Sequence, residues 1–234
     1  MTSVPEFKIC GMRTLEHALA AADAGASLLG FVFVPGVRRQ VSLEHAQVVI
    51  RRMRERRGAA CPSIVGLFAN QPLDEVNRTV SECGLDFVQL CGDEPSDYWD
   101  NVDAWVMRQV KVDDSLGHDA AVSDALREVE EVAKRLHITL LDKRVSGALG
   151  GTGHTFDWQI ACEIAKRHPV FLAGGLAPDN VRQAIDTVQP WGVDVSSGVE
   201  TNGVKDIAKI AAFADMVRGT SDSNVMSVGS GEYK

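Results

Sequence analysis

The feature that most constrains this chain is a short apolar run followed by an amphipathic helical stretch, recurring roughly every 25–35 residues. Strands that are apolar on both faces and alternate with helices indicate a parallel sheet. Eight such units favour a closed (β/α)₈ barrel over a doubly wound sheet. The predicted strands are Phe7–Cys10, Leu28–Val34, Ser63–Phe68, Asp86–Leu90, Trp105–Val110, Ile138–Asp142, Val170–Ala173 and Val193–Ser196.

Helix starts between these runs carry recognisable signals. Thr14 and Ser42 are predicted N-caps, and Pro72 and Pro178 are predicted first-turn prolines. A surface loop is expected over Asp113–Val122. We assign residues 1–218 to one catalytic barrel domain and the Ser- and Gly-rich residues 219–234 to a disordered tail.

Composition narrows the class of protein. A net charge of −8 argues against a nucleic-acid or anionic-membrane surface. The chain has no apolar run of the ~20 residues that a membrane span needs, and residues 1–6 do not resemble a signal peptide. The five cysteines are scattered without a CxxC pair, so neither a disulfide framework nor a metal site is indicated. These features predict a reduced cytoplasmic protein.

Two side chains at predicted strand ends could react. Lys8 and Cys10 share one face of the first strand, and a neighbouring cation lowers the pKa of a thiol. A buried, unreactive cysteine is the commoner case, so both interpretations of Cys10 stay open at this point. Asp142 ends the sixth strand, where a carboxyl group in an apolar mouth would have a raised pKa and serve as a general acid.

Binding residues are predicted on the same rim, where (β/α)₈ barrels carry their active sites. Arg39 offers a planar fork for a carboxylate, although it could be a solvated loop charge. Gln89 could be a ligand-binding or a core residue. Gly-Gly after the seventh strand and Ser-Ser-Gly after the eighth predict backbone N–H groups that bind a phosphate, and tight-turn geometry is the alternative. Neither a P-loop nor a GxGxxG pattern is present, so no nucleotide cofactor is expected.

Seven segments occur in the order seen in phosphoribosylanthranilate isomerases, and the chain resembles that family from about Lys8 to Val217. The ending GVETNGVKD looks closest to fungal versions. The segments are KICGMR, LLGFVFVPGVRRQVS, VGLFANQP, FVQLCGDE, LLD…GGTGHTFDW, LAGGLAPDNV and GVDVSSGVETNGVKD.

The resemblance implies a cofactor-free Amadori rearrangement. N-(5-phosphoribosyl)anthranilate would become 1-(2-carboxyphenylamino)-1-deoxyribulose 5-phosphate in tryptophan biosynthesis. Cys10 would be the general base, Asp142 the general acid, and Arg39 the contact to the anthranilate carboxylate. The predicted partner is therefore a small phosphorylated substrate, and the chain would be a monomer or homodimer. The predicted substrate-binding residues are Lys8, Arg39, Gln89, Cys91, Gly151, Gly174, Gly175, Asp194, Ser196, Ser197 and Gly198.

Two residues depart from the family pattern. Cys91 stands where a histidine is usual, and Arg108 stands where a lysine is usual. Indole-glycerol-phosphate synthase is the nearest rival enzyme, but its catalytic lysine and glutamates are not found at the strand ends. A non-catalytic sugar-phosphate-binding barrel is the other alternative, and the presence of both Cys10 and Asp142 speaks against it.

Overall fold

Eight parallel strands close into a barrel in the computed structural model, which describes residues 4–144 and 155–219. Each strand pairs with the next along the chain, and β8 pairs with β1. The predicted (β/α)₈ fold is confirmed, and every predicted strand is found with its ends displaced by no more than a few residues. The strands are β1 Glu6–Cys10, β2 Leu28–Val32, β3 Ser63–Phe68, β4 Phe87–Leu90, β5 Trp105–Val112, β6 Ile138–Lys143, β7 Val170–Leu172 and β8 Gly192–Val195.

Helices follow the strands and cover the outside of the barrel. Thr14 and Ser42 are N-caps as predicted, since their hydroxyls accept from the backbone N–H groups of His17 and His45. The fourth helix is only a single turn. The helices are α1 Leu15–Asp23, α2 Leu43–Arg57, α3 Leu73–Cys83, α4 Ser96–Trp99, α5 His118–Lys134, α6 Trp158–Ala165, α7 Val181–Val188 and α8 Ile207–Arg218.

Two local predictions were wrong. The stretch Asp113–Val122 is not all loop, because α5 begins at His118 and buries Ala121 and Val122 against the barrel. Pro178 does not open α7 either. The Asn180 side chain binds the N–H of Ala177 and the carbonyl of Gly175, which closes a separate turn ahead of the helix.

A small hairpin between β8 and α8 was not predicted. It consists of β9, Glu200–Thr201, and β10, Val204–Lys205. Asn202 and Gly203 connect them with φ values of 52° and 77°. Left-handed backbone at both central positions is typical of an Asn-Gly hairpin turn. The dipeptide was therefore a usable signal, and the hairpin brings Glu200 and Lys205 over the rim of the barrel.

Side chains along each strand point alternately into the barrel and toward the helices, which divides the core into two layers. Phe7 and Ile9 point outward and pack in the layer between barrel and helices. Cys10 points inward and joins a second layer inside the barrel. The predicted two faces of β1 are thus confirmed. The inner layer comprises Cys10, Leu28, Val32, Val34, Val65, Leu67, Cys91, Met107, Leu140, Phe171 and Ala173.

Some predictions fall on residues that the structure does not describe. Gly151 lies outside the described residues, and so does the proposed tail apart from Gly219, which ends α8. Within residues 4–144 and 155–219, no helix has the length and apolar character needed to cross a bilayer.

Candidate active site

A cavity of about 150 Å³ opens at the carboxyl ends of the strands, where the barrel fold places its reactive residues. It collects most of the predicted site residues from distant parts of the chain. Lys8 and Gly198 do not line it. Its walls are formed by Cys10, Val32, Val34, Val37, Arg38, Arg39, Leu67, Gln89, Cys91, Gln109, Asp142, Ala173, Gly174, Gly175, Leu176, Asp194, Ser196 and Ser197.

Cys10 is placed by the end of β1. Its register partner on β2 is Gly30, where a Cβ would come within 3.1 Å of Cys10 Sγ. The missing side chain at Gly30 therefore makes room for the thiol. Gly11 then turns the chain with φ 84°, and a Cβ there would lie 2.6 Å from Cδ of Arg39. The glycine after the cysteine is needed for both the turn and the path of Arg39.

Burial dominates the ionisation of Cys10, whose side chain is 5 % exposed. Loss of water raises the pKa of the thiol above its ordinary value, while the charge of Lys8 opposes this rise. Asp194 raises the pKa further, and Lys205 and Arg39 lower it. Cys10 is therefore a thiol at rest, held beside several cations that would stabilise a thiolate.

Lys8 forms a buried ion pair below the cavity. Its Nζ donates to Oδ1 of Asp194 at 2.9 Å, and Lys8 is 0 % exposed. The two residues are register partners on β1 and β8, so neighbouring strands supply both charges. Lys8 thus neutralises the carboxylate of Asp194 on the neighbouring strand. A direct contact between Lys8 and a ligand in the cavity has no support in this placement.

Asp142 lies near the end of β6 and is 8 % exposed. Its Oδ1 accepts from the N–H of Lys143 at 2.8 Å, and its Oδ2 accepts from Nε2 of Gln109 at 2.6 Å. Burial raises the pKa of the carboxyl group to about 6, although both hydrogen bonds favour the charged form. A carboxyl group that is partly protonated near neutral pH is suited to donate a proton.

Gln109 was missed from the sequence. It occupies an inward position of β5, two residues after the inward Met107, and is 3 % exposed. A polar residue at an inward position of a predicted barrel strand was the available signal.

One wall combines apolar side chains with a guanidinium group. Val32, Val34 and Leu67 line the cavity together with Arg39. Arg39 is held by Glu200, to which its Nε donates at 2.7 Å and its Nη2 at 3.0 Å.

Glu200 is a buried anion shared among cations. Arg38 and Lys205 also contact its carboxylate, at 2.6 and 3.0 Å. Burial disfavours its charge, but the hydrogen bonds and charges of Arg39 and Lys205 outweigh burial and lower the pKa of Glu200 to about 2. Glu200 and Lys205 were not predicted, because their importance depends on the fold of the β9–β10 hairpin.

The loops after β7 and β8 meet at another part of the cavity wall. Gly174 and Gly175 have φ values of 87° and 65°, and Ser197 begins a short 3₁₀ turn. Within the described residues, the N–H groups of Gly174, Gly175 and Ser197 donate to no other protein group. Directed N–H groups of this kind are suited to bind a phosphate. Ser196 supports the second loop by donating from its hydroxyl to the carbonyl of Cys10.

Gly198 has a packing role rather than a place on the cavity wall. A Cβ at this position would lie 2.0 Å from the carbonyl oxygen of Leu176. Any side chain would push the two loops apart, so Gly198 lets them approach each other.

Gln89 and Cys91 lie side by side on the cavity wall. Nε2 of Gln89 contacts Sγ of Cys91 at 3.4 Å, and both residues are nearly fully buried. Burial raises the pKa of Cys91 to about 12, so this thiol stays neutral at physiological pH. Among the described residues, no group of His, Cys, Asp and Glu side chains has the arrangement of a metal site.

The cavity thus joins four chemical features in one space. A carboxyl acid and a thiol are available for proton transfer, an apolar wall ends at an arginine, and two loops present N–H groups. A ligand that carries an anion at each end and a sugar-sized centre would match all four features.

Comparison with known proteins identifies such a ligand for related chains. A family model described as N-(5'-phosphoribosyl)anthranilate (PRA) isomerase matches residues 7–216. The N-(5'-phosphoribosyl)anthranilate isomerase of Roseiflexus castenholzii is 45 % identical over 216 residues, which cover 90 % of this chain and 97 % of the relative. The Geobacter sulfurreducens enzyme is 43 % identical, covering 91 % and 98 %. Both relatives are bacterial, so they do not support the expected closeness to fungal versions.

Solved structures show the same likeness. The phosphoribosyl anthranilate isomerase of Thermotoga maritima superposes with a TM-score of 0.78 at 33 % identity, covering 92 % of this chain and 99 % of that one. A phosphoribosyl anthranilate isomerase in complex with reduced 1-(o-carboxyphenylamino)-1-deoxyribulose 5-phosphate superposes with a TM-score of 0.76 at 32 % identity, with the same coverage of both chains.

Proposed function

The chain belongs to the N-(5'-phosphoribosyl)anthranilate isomerase family, and we propose that it isomerises N-(5'-phosphoribosyl)anthranilate with Asp142 as general acid and Cys10 as general base. The observation that carries these roles is that one cavity holds both a carboxyl group with a pKa of about 6 and a thiol flanked by cations. The reaction needs one group to give a proton and another to remove one.

The substrate fits the cavity in one orientation. Its phosphate lies against the N–H groups of Gly174, Gly175 and Ser197, and its anthranilate ring lies on the apolar wall. Arg39 binds the anthranilate carboxylate through the donors that Glu200 leaves free. The sugar then lies between Cys10 and Asp142, which β1 and β6 place on different sides of the barrel.

The first half of the reaction opens the sugar ring. Asp142 gives its proton to the ring oxygen while the bond between that oxygen and C1 breaks. The nitrogen lone pair forms the C1=N bond, which leaves a protonated Schiff base and an Asp142 carboxylate. Because water is largely excluded around the buried acid, the proton is delivered directly.

The second half moves a hydrogen from C2. The Cys10 thiolate takes the C2 proton, and the electron pair of that bond forms an enolamine as the charge on nitrogen is neutralised. Protonation at C1 and loss of the C2 hydroxyl proton give the ketone. The proton gained at C1 and the proton lost from the C2 hydroxyl cancel, so the cycle ends with Cys10 as thiol and Asp142 as carboxylate, which is the resting form. Transfer of one proton from Cys10 to Asp142 through solvent regenerates the active form, and no cofactor enters the balance.

Three further features belong to the proposal. A homodimer is one expectation, and the enzyme of Thermotoga maritima is described as dimeric. A cytoplasmic location agrees with five cysteines that form no disulfide. Residues 219–234 are proposed as a tail outside the catalytic domain.

A turnover assay tests the function. Loss of the fluorescence of the anthranilate derivative should follow addition of the purified chain, and Asp142→Asn should abolish that loss. Absence of turnover in a folded wild-type protein would refute the proposal.

A further inference from the structure

Gln109 makes the closest side-chain contact to the proposed acid. Its Nε2 lies 2.6 Å from Oδ2 of Asp142, and the two side chains come from adjacent strands, β5 and β6. A carboxylate only accepts hydrogen bonds, so the amide must turn its N–H toward Asp142. That contact fixes the direction of the other half of the amide.

The remaining amide oxygen has no protein partner. Oε1 of Gln109 is buried without a hydrogen bond among the described residues, on a side chain that lines the cavity. Buried amide oxygens are nearly always paired, and leaving one unpaired is costly. A donor on a bound ligand would satisfy it.

The location of this oxygen selects the donor. Oε1 and Nε2 belong to the same amide, so Oε1 also lies close to the Asp142 carboxyl group. In the proposed reaction the sugar ring occupies that space, and its hydroxyls are the nearest hydrogen-bond donors.

The surroundings of Asp142 leave few other groups to hold it. Asp194 on β8 raises its pKa and Lys8 on β1 lowers it, both through charge. Lys111 is its register partner on β5, and Nζ of Lys143 is bound to Asp114 and the carbonyl of Thr155. On the β7 side, the inward Phe171 and Ala173, which directly follows the strand, carry no charge. Gln109 is the side chain with a hydrogen bond to the carboxyl group in the described part of the chain.

We propose that Gln109 positions the acid: its Nε2 fixes the carboxyl group of Asp142, and its Oε1 accepts a hydrogen bond from a sugar hydroxyl of the substrate. This inference rests on the proposed function for the substrate contact. The contact to Asp142 stands without it.

Gln109→Met tests both contacts with a side chain of similar size. Loss of the Nε2 donor removes a bond that favours the ionised carboxylate, so the pKa of Asp142 should rise. A ¹³C-carboxyl NMR titration measures this without turnover, with the Asp142 signal assigned by its absence in Asp142→Asn. The acidic limb of kcat should move to higher pH by the same amount, and kcat should fall about tenfold.

Gln89→Met is the matched control, because Gln89 is an equally buried cavity-lining amide on β4 without a contact to Asp142. It should leave the Asp142 titration at its wild-type position. An unchanged Asp142 titration in Gln109→Met, or the same shift in both variants, overturns the positioning role. If Gln109→Met does not fold, Gln109→Leu replaces it in the same measurements.

Binding of the reduced open-chain product analogue tests the second contact. We expect Gln109→Met to weaken it about tenfold, and an unchanged Kd would overturn the hydroxyl contact alone. If the wild-type protein does not turn over the substrate, the proposed function fails, whereas the NMR titration still decides the role of Gln109 toward Asp142.

Discussion

Nε and Nη2 of Arg39 donate to the two carboxylate oxygens of Glu200, at 2.7 and 3.0 Å. The ion pair uses one edge of the guanidinium group and leaves the two Nη1 hydrogens and one on Nη2 for a ligand. Since Glu200 is buried and shared with Lys205, it holds Arg39 in a fixed direction at the cavity wall. Arg39 is therefore prepared to bind a second carboxylate without reorganising.

We predict that Arg39→Ala weakens binding of the substrate more than binding of an analogue without the anthranilate carboxylate. A charge-assisted contact contributes roughly 1.5–3 kcal/mol, which is about ten- to more than a hundredfold in kcat/KM. Steady-state kinetics on both compounds measure the difference.

Arg38→Ala is the control for this prediction, because Arg38 contacts the same Glu200 but its side chain is 56 % exposed. Arg38→Ala should lower kcat/KM much less than Arg39→Ala does, because exposed ion pairs usually contribute little. Equal losses for Arg39→Ala on the two compounds would assign Arg39 a structural role only.

Phosphate binding is predicted to depend on backbone N–H groups. Gly175 has a φ of 65°, which a residue with a Cβ adopts only with strain, so Gly175→Ala should turn its N–H group and raise KM roughly tenfold. Ser197→Ala removes a hydroxyl but keeps the N–H, and it should raise KM less. Inhibition by inorganic phosphate gives an independent measure, and a larger effect of Ser197→Ala would favour side-chain binding.

The structure changes what Gly198→Val can show. The place of Gly198 in the Ser-Ser-Gly segment after the eighth strand predicts that this variant weakens phosphate binding while the fold is largely kept. The carbonyl of Leu176 would lie 2.0 Å from its Cβ, so the valine would separate the two loops. Gly198→Val therefore tests loop packing and not phosphate binding alone.

Cys91 is predicted to tolerate substitution. Its thiol has a pKa of about 12 and stays protonated, so it cannot remove a proton from carbon near neutral pH. Cys91→Ala should keep measurable turnover, and Cys91→His, which restores the residue usual in the family, should also be active. If Cys91→Ala loses as much activity as Cys10→Ser, the wrong thiol has been chosen as the base.

The pH profile of kcat should be bell-shaped with a wide plateau. Asp142 and Cys10 together hold one proton in the active form, in which Asp142 is protonated and Cys10 is a thiolate. This form is in equilibrium with the form in which Cys10 carries the proton and Asp142 is a carboxylate. As pH falls through about 6, Asp142 becomes protonated while Cys10 is still a thiol. Both groups then carry a proton, no thiolate is left to act as base, and activity declines. As pH rises through the raised pKa of Cys10, the last proton leaves and activity declines again.

kcat is the informative parameter here, because a free phosphate ester also titrates near pH 6 and would affect kcat/KM. An acidic limb that stays in place when Gln109→Met raises the pKa of Asp142 would mean that another group controls it. A flat profile between pH 5 and 7 would contradict the assignment of Asp142.

Local patterns predicted the barrel because each strand and helix has its own sequence signal. The alternation in β1 also predicted correctly that Lys8 and Cys10 share a face. The pairing of Arg39 with Glu200 could not be predicted in this way, since the residues are 161 positions apart and meet only through loop closure. Lys8 and Asp194 are 186 positions apart, but they were within reach of prediction because closing the barrel makes β1 and β8 neighbours.

Gln109 and the β9–β10 hairpin were missed for a different reason. Both had local signals, an inward polar residue in β5 and the dipeptide Asn202-Gly203. Neither signal predicts which residues Gln109 or the hairpin will contact. The pairing of β5 with β6 brought the side chain of Gln109 to Asp142, and the hairpin placed Lys205 beside Glu200. Contacts of this kind follow from the assembled barrel.

Cys10→Ser tests the base directly. Serine keeps the shape of the side chain in the space that Gly30 leaves, so the fold should be retained. A hydroxyl ionises far less readily than a thiol, even beside Lys8, Lys205 and Arg39, and it cannot remove the C2 proton at neutral pH. Loss of a positioned base costs about 10²–10⁴-fold in rate, so kcat should fall by that amount. KM should change little, because the thiol makes little contact with the substrate in its ground state.

Alkylation gives a second test of the same thiol. Cys61 and Cys162 are partly exposed and should react first without loss of activity, whereas Cys10 is buried at the cavity and should react later. In a Cys61→Ser/Cys162→Ser variant, inactivation should follow modification of Cys10 by peptide mapping, and the reduced product analogue should protect it. Near-normal kcat in Cys10→Ser, or inactivation that follows Cys83 or Cys91 instead, would make Cys10 a buried strand-end residue without a part in proton transfer.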